Sequence, residues 1–570
     1  MEIQSSSRLL ERRREQMFPV LTPTQIATAR RFGAEARHFA PEETVFDVGQ
    51  VGTPAYLVIA GSIEVTRRDG LGHGSSTITR HGPGELTGEV SQLAGGPSLV
   101  QGRAGSVGAE AVPFDAVHLR NLVIGTTEIG ETIMRAFILR RAFLIEVGAG
   151  PVLLGRSDSA DLMRLQNFLR RNGMPYTLID PDADRDAGHL IQQMGLAKVE
   201  LPIAICPDGR MLRKPGEKAL AQCLHLLPPH MGDRSYDVAV VGAGPAGLAT
   251  AVYAASEGLS VLVFDLRAIG GQAGASARIE NYLGFPTGIS GEALAGRAYT
   301  QAQKFGAIMA IPTEVQLLRA TTNGGYELEL DEGAPVRASV VVIASGARYR
   351  RLNLPNLADF EGRGVYYWAS PIEATLCARR EVVVVGGGNS AGQGTVFLAS
   401  HVANVHLLVR SPSLGEGMSQ YLADRIEAQP NVIVHTETKL TRLIGDPAEG
   451  LQAVCWRDQR TDTEERHPIR HVFVFIGAVP STEWLRRCAV SVDDKGFVRT
   501  GTSCPPGAPM PSLPEYRSLP LETSQRGVFA VGDVRAGSVK RVAAAVGEGA
   551  AAVAQIHAYL QAIPPPHTAD

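Results

Sequence analysis

The sequence predicts a multidomain chain: an N-terminal β domain with helices, a small α/β domain, then two Rossmann-like three-layer α/β domains. Three observations predict it. A strand, a glycine turn and a helix recur in that order, as VAVVGAGPAGLATA at 238–251 and as EVVVVGGGNSAG at 381–392. Residues 18–125 break into short alternating apolar runs separated by glycine (TVFDVG, PAYLVIAGSIEVTRR, STITRH, AEAVPFDAVHL), the period of half-buried strands. Residues 150–230 instead alternate buried-strand runs with helical ones. A length of 570 residues leaves room for about three to five domains.

Along the chain, IGETIMRAFILRRAFLIEVG (129–148) has helical apolar spacing and follows the β domain. PVLLG is a strand run. SADLMRLQNFLRRNG is a helix with Ser159 as N-cap and Gly173 as stop. PYTLID is a second strand, DAGHLIQQMG a second helix, LPIAICPDGRML a hairpin and EKALAQCLHLL a last helix, an order that fits an α/β unit of thioredoxin type. LPPHMGDRS (227–235) reads as a linker, and βαβ signals dominate from Asp237 to about Leu560, before a loose tail AIPPPHTAD. The domains are drawn at 1–149, 150–231, 235–350 with 478–562, and 351–477.

The composition is that of an ordinary globular protein: 44% hydrophobic, 20% charged, net charge −3. That balance offers no electrostatic case for nucleic acid or a membrane surface. The run RLLERRREQ, interrupted by acidic residues, reads as a solvated helix face. No apolar run approaches the roughly 18 residues that span a bilayer, and the N-terminus lacks the apolar core of a signal peptide, so a cytoplasmic location without membrane insertion is expected. The six cysteines (206, 223, 377, 455, 488, 504) form no C-x-x-C and read as small buried apolar residues. The histidines show no paired ligand spacing, and no metal site is expected.

In the first glycine loop, Gly242, Gly244 and Gly247 make G-x-G-x-x-G, with Pro245 and Ala246 opening the helix. Gly242 permits the tight turn, Gly244 lets the backbone approach a pyrophosphate, and Gly247 lets helix and strand pack closely. The helix N-terminus offers free N–H groups to phosphate. Asp265 ends the next strand, where a carboxylate accepts ribose hydroxyls. In the second loop Gly386, Gly388 and Ala391 fill G-x-G-x-x-A around Asn389 and Ser390. The position of Asp265 is taken by Val409, followed by Arg410, which favours a ribose carrying a 2′-phosphate; a solvent-facing Arg410 is the other reading. Two loops suit a flavoprotein in which NADPH reduces FAD. GVFAVGDVRAGSVKRVAAAVGEG places Asp533 after a strand and a helix N-terminus beyond it, so the first loop and this C-terminal piece form the FAD domain, with the NADPH domain inserted. ASGARYRRLNLPN and FVFIGAVPST are the two crossings.

These residues resemble the low-molecular-weight thioredoxin reductase family. GGQ (270–272), IENYLGFP (279–286), RGVYYW, GGGNSA and FIGAVPST fall in family order across 235–562. The resemblance implies FAD contacts from Gly271, Gln272, Asn281, Asp533, Lys540, Arg541 and Val542, NADPH contacts from Arg410 and Gly477, and a homodimer. Arg410 matches the first arginine of the family's H-R-R, and its second is Ser411 here. The family's C-x-x-C, which takes electrons from the flavin, is replaced by WASPIEA, and thiol exchange needs both an attacking and a resolving sulfur. Cys377 stands alone beyond that place and reads as a core residue.

Residues 18–148 resemble a cyclic-nucleotide-binding domain. PGELTGEVSQLAGGPSLV matches its phosphate cassette, with Gly88 and the ribose-holding Glu89, but the arginine that neutralises the cyclic phosphate is Ser98. Burying an unpaired phosphate is costly, so tight cyclic nucleotide binding is not expected. Residues 151–230 resemble a glutaredoxin or thioredoxin-like fold, with Pro202 at its cis-proline and no C-x-x-C near GRSDSAD; an independent α/β module is the alternative. The expectation is an FAD-dependent NADPH oxidoreductase that hands electrons to a ferredoxin or flavodoxin, a quinone or oxygen, with no nameable general acid or base. Thiol reduction through Cys377 or an external dithiol, and a flavin-based redox sensor, are the rival readings.

Overall fold

A computed structural model describes residues 13–68, 75–157, 159–182, 200–322, 324–446, 449–504 and 519–562. Helix α1 (Pro23–Arg30) starts at Thr22, which shares a reciprocal capping box with Gln25. Strands β1 (Arg37–Phe39), β2 (Thr44–Phe46), β3 (Ala55–Arg68), β4 (Ser75–His81) and β5 (Gln101–Phe114) form an antiparallel sheet ordered β1-β5-β3-β4, with β2 also on β5. Helices α2 (Ala116–Gly125) and α3 (Thr127–Glu146) follow. On α3, Ile129, Ile133, Ala136, Phe137, Phe143 and Leu144 recur at helical spacing and are buried, with Ile129, Ile133 and Phe137 in one cluster with Leu57, Leu86 and Phe114. Arg140 lies on the same buried face. It avoids an isolated charge by donating to the carbonyls of Met17 (2.7 Å), Leu86 (2.8 Å) and Gly88 (2.8 Å).

The second unit runs β6 (Val152–Leu154), α4 (Ala160–Arg171), β7 (Thr177–Ile179), β8 (Ile203–Ile205), β9 (Met211–Arg213) and α5 (Glu217–Cys223). Its sheet is ordered β7-β6-β8-β9, with β6 and β7 parallel and the other pairs antiparallel. Ser159 caps α4, and Gly173 stops it in the left-handed region (φ 62°). The Leu201–Pro202 peptide is cis. The helix expected at DAGHLIQQMG lies outside the described residues, as do the tail and most of the RLLERRREQ run. One expectation is corrected here: Cys206 and Cys223 are not two packed thiols but a disulfide, with Cα atoms 6.1 Å apart. The hairpin turn after β8 and the last residue of α5 bring together sulfurs separated by 17 positions.

The first Rossmann lobe contains β10 (Ser235–Val241), α6 (Pro245–Ser256), β11 (Val261–Phe264), α7 (Gly271–Gly274), α8 (Gly291–Lys304), β12 (Ile308–Ala310), β13 (Val315–Ala320), β14 (Tyr326–Leu330) and β15 (Val336–Ile343). The chain crosses at β16 (Ala347–Tyr349) into the second lobe. That lobe contains β17 (Val365–Tyr366), α9 (Pro371–Leu376), β18 (Glu381–Val385), α10 (Asn389–Ala399), β19 (Asn404–Leu408), α11 (Gln420–Glu427), β20 (Val432–His435), β21 (Thr438–Asp446), β22 (Gly450–Asp458), β23 (Thr463–His467) and β24 (Val472–Val474). It returns at β25 (Ala478–Pro480), which pairs antiparallel with β16, so the two crossings lie side by side. Then β26 (Val528–Ala530) pairs with β15, and α12 (Val542–Ala562) packs on α6.

Each lobe has a parallel core: β12-β11-β10-β15 with β26 added in the first, and β17-β24-β18-β19-β20 in the second. The strands are near-continuous Val and Ile runs because both faces are covered. Among the described residues, no helix is long and apolar enough to cross a membrane.

Candidate functional site

Both glycine turns open on a cavity of about 1000 Å³ between the two lobes. Gly244, Pro245, Ala246, Asp265, Gly271, Gln272, Asn281, Asp533, Lys540, Arg541 and Val542 line it from the first lobe, and Gly386, Gly388, Asn389, Ser390, Arg410 and Gly477 from the second. Gly242, Gly247 and Ala391 sit behind the wall, where they shape the turns. Gly242 has φ 117°, and a Cβ there would stand 2.2 Å from the Ala344 carbonyl oxygen; a Cβ on Gly247 would stand 1.8 Å from the Gly242 oxygen. Gly244 and Gly388 differ: a Cβ on either meets nothing nearer than 3.9 and 3.8 Å respectively, because it would project into the cavity. Helices α6 and α10 begin at these two glycines without a side-chain cap, so their first-turn N–H groups remain available to an anion. This cradle fits two pyrophosphates.

Asp265 is held ready by its own loop: its carboxylate accepts from the amides of Ala243 (2.9 Å), Arg267 (2.9 Å) and Ala268 (3.0 Å). Gln272 donates to the Ala347 carbonyl, tying α7 to the crossing strand. Asn389 accepts from the amide and hydroxyl of Ser419, both at 2.7 Å, which fixes the second turn against α11. Arg410 is exposed at the rim and has no hydrogen-bond or ion-pair partner among the described residues, while Val409 before it is buried. Around Asp533, burial pushes the carboxyl up and the Lys540 ammonium opposes it; burial also pulls Lys540 down. The Lys540 ammonium donates to the Asp533 carbonyl (2.6 Å) and lies 4.5 Å from the centre of the Phe497 ring.

Sequence reasoning missed three residues here. Tyr349 lines the cavity, and burial pushes its phenol up to about 12. Phe497 lines it as well. Glu548, on α12, accepts from the Gly532 amide (2.7 Å) and grips Arg535 at 2.6 and 3.1 Å, bracing the turn that carries Asp533. The glutamate in AVGEG was the available signal for Glu548; the two aromatics sit in no motif.

Where the resemblance places a dithiol, the chain has a hydrogen-bonded cluster without sulfur. The buried Glu373 carboxylate accepts from the Trp368 indole (3.0 Å), the Ser370 amide (3.1 Å), the Ser370 hydroxyl and the Asn167 amide group (3.3 Å). Cys377 closes α9 and is fully buried in an apolar cluster with Tyr366 and Val382; burial pushes its thiol up to about 12, with Glu373 adding and Arg380 opposing. Asn167 belongs to α4, so the second unit reaches the second lobe here. It reaches the first through Arg171, which donates to the Gly271 carbonyl at 2.7 Å, and through the Glu217–Arg267 ion pair at 3.0 Å.

In the N-terminal unit, Gly88, Glu89 and Ser98 line a cavity of about 40 Å³. Glu89 is buried and paired with Arg141 (3.2 Å), and the Ser98 hydroxyl donates to the Val100 carbonyl (2.7 Å), so both cassette side chains are engaged within the protein. Among the described residues, no cluster of three metal-ligating side chains could hold an ion.

Residues 236–549 match the pyridine nucleotide-disulphide oxidoreductase family, and residues 36–123 match the cyclic nucleotide-binding domain family. The chain belongs to the pyridine nucleotide-disulphide oxidoreductases. FAD and NADPH are the cofactors of its thioredoxin reductase-like branch. The F component of alkyl hydroperoxide reductase from Pseudomonas putida is 33% identical over 331 residues, which cover 56% of this chain and 57% of that protein. Thioredoxin reductase of Treponema pallidum is 31% identical over 58% of this chain and 99% of its own length. The crystal structure of T. acidophilum thioredoxin reductase superposes on 58% of this chain with a TM-score of 0.51 at 28% identity, covering all of that structure. The chain thus spans little more than half the length of the hydroperoxide reductase component it resembles. A cyclic nucleotide-binding domain in front of a two-lobed oxidoreductase of this family is the order expected from the sequence.

Proposed function

We propose that this oxidoreductase takes a hydride from NADPH and delivers the electrons to an acceptor other than a disulfide beside its second glycine loop: a ferredoxin or flavodoxin, a quinone or oxygen. One observation carries the reading. The segment 368–373 is a closed network around the Glu373 carboxylate, and the next cysteine along the chain, Cys377, is buried with its thiol pushed up to about 12. A thiol so protonated at neutral pH is a poor nucleophile. FAD, when bound, supplies the two-electron chemistry.

The chain's own residues then have distinct tasks. Gly244 and Gly388 leave room for the pyrophosphates, which the first-turn amides of α6 and α10 attract. Asp265 accepts the hydroxyls of one ribose, and Arg410 offers an unpaired guanidinium to a 2′-phosphate on the other. Asp533, braced by Glu548, orients the ribityl chain. Lys540, Arg541 and the start of α12 supply positive potential at the cavity wall. Tyr349 stays neutral and excludes water. The family resemblance further supports a cytoplasmic homodimer, and the four strands of the second unit are read as a glutaredoxin or thioredoxin-like domain without its C-x-x-C. The engaged Glu89 and Ser98 support a cassette that does not hold cyclic nucleotide tightly.

Stopped-flow flavin reduction by NADPH and by NADH, followed by reoxidation against ferredoxin, flavodoxin, quinone, oxygen and thioredoxin disulfide, tests the proposal. Reoxidation by the disulfide that is fast in the wild type and lost in Cys377→Ser would overturn it.

A further inference from the structure

The Cys206–Cys223 disulfide has no part in the site above, and its placement points to a use. The bond joins the turn after β8 to the last residue of α5. The first turn of α5 is one of the second unit's anchors on the flavin lobe: Glu217 pairs with Arg267 at 3.0 Å, and Lys218 pairs with Asp331 and with Glu332, the latter at 3.2 Å. The Arg267 guanidinium in turn lies 5.7 Å from the centre of the Trp368 ring, at the place where a family dithiol would stand. One short helix therefore has a sulfur bond at its end and the interdomain ion pairs at its start.

Both cysteines are buried, and Cys223 faces the seam with the N-terminal unit. A small cavity beside it is lined by Cys223, Pro207, Asp208 and His225 of the second unit and by Pro97 and Ser98 of the N-terminal unit. Neither cysteine is part of the apolar cluster that joins the second unit to Leu99 and Leu144 of the N-terminal unit. The Arg210 guanidinium, paired with Asp208 at 2.6 Å, lies 3.5 Å from the Cys223 carbonyl at the end of α5. No other cysteine offers an equivalent. Cys377 and Cys455 are buried free thiols, and burial pushes the thiols of Cys488 and Cys504 up.

We propose that Cys206 and Cys223 are a reversible thiol–disulfide site whose partner is an external dithiol. A thiolate of the partner attacks one sulfur, the Cys206–Cys223 bond breaks, and the partner's second thiol resolves the mixed disulfide. Two electrons and two protons pass from the partner to the pair, leaving Cys206 and Cys223 as thiols and the partner as a disulfide. Reduction releases the end of α5 from the hairpin, while its ion pairs to the flavin lobe remain.

The test uses full-length protein with its flavin, labelled with N-ethylmaleimide under native conditions and mapped by peptide mass spectrometry. In air-oxidised protein, the peptides carrying Cys206 and Cys223 are expected linked and unlabelled. Dithiothreitol without denaturant should bring label at both from near zero to near completion, and oxidised dithiothreitol should restore the link. Cys206→Ser should make Cys223 label without reductant; if that variant does not fold, the wild-type map decides alone. Two results overturn the proposal: labelling of both cysteines in air-oxidised protein that has never met reductant, or a link that opens only after denaturation and is thus a static brace. The readout is sulfur labelling, so it fails or succeeds separately from the flavin assay.

Discussion

Gly242 and Gly244 stand two residues apart in one turn, yet the same substitution should separate folding from cofactor retention. At Gly244 the backbone is ordinary (φ −74°, ψ −177°), and an added Cβ meets no protein atom nearer than 3.9 Å. Gly244→Ala therefore costs only the difference between glycine and alanine at a helix N-cap, about 1 kcal/mol or less. That corresponds to a loss of roughly 2–4 °C in Tm for a lobe of this size. The new methyl does occupy the space through which a pyrophosphate meets the α6 amides. Losing that approach, at about 3 kcal/mol or more, weakens FAD binding by a factor of roughly 100. At Gly242, φ is 117° and the Cβ would stand 2.2 Å from the Ala344 oxygen. Gly242→Ala adds about 1–3 kcal/mol of backbone strain before the overlap is counted, and should unfold the lobe. Thermal unfolding with flavin absorbance on purified protein checks both variants. A Gly244→Ala protein that keeps full flavin occupancy after extensive dialysis would refute the reasoning that this glycine faces phosphate.

Replacing Arg410 by Ala should lower kcat/KM for NADPH about tenfold or more and leave NADH unchanged, since only the 2′-phosphate loses a charged donor of roughly 1.5–3 kcal/mol; steady-state kinetics with both nucleotides check it. Glu548→Ala leaves the Gly532 amide and Arg535 without their acceptor, and FAD affinity should fall about tenfold or more, read by flavin fluorescence on titration. Burial holds His81 down at about 4, below an unfolded value near 6.5, so the unfolded chain binds the extra proton. Its contribution is complete above pH 6.5 and is lost as pH falls towards 4, on the order of 2–3 kcal/mol; urea unfolding across this range should show the slope, and His81→Gln should flatten it. Millimolar cAMP should leave Tm unchanged, and Ser98→Arg alone should not restore binding, because Arg141 still holds Glu89; calorimetry reads both.

What the sequence revealed and what it hid follow from the range of the interactions. The glycine turns, Asp265 and the two crossings are local patterns, each set by neighbours within about one strand–turn–helix unit. The return of β26 to β15 was legible because Asp533 and the following helix make no sense without a flavin lobe to complete. The disulfide was not legible: its halves stand 17 positions apart, and only the β8 turn and the end of α5, neither a cysteine motif, bring them together. Glu89 matched a ribose-binding position by motif, but its partner Arg141 lies on α3, three elements further on, and no spacing rule connects them. Glu373 likewise depends on Asn167 from another unit. Tertiary pairs of this kind carry no periodicity to read.

The pairing of β26 with β15 has a consequence for how the protein is made. The sheet begun at Ser235 takes its last parallel strand from Val528–Ala530, and the cavity wall is finished only by Asp533 and Ala545. A ribosome must therefore release nearly the whole described chain before a flavin can be enclosed, while the N-terminal units and the inserted lobe can already have folded. Removing the chain from Val528 onward would delete not an appendage but the last parallel strand and one wall of the cavity.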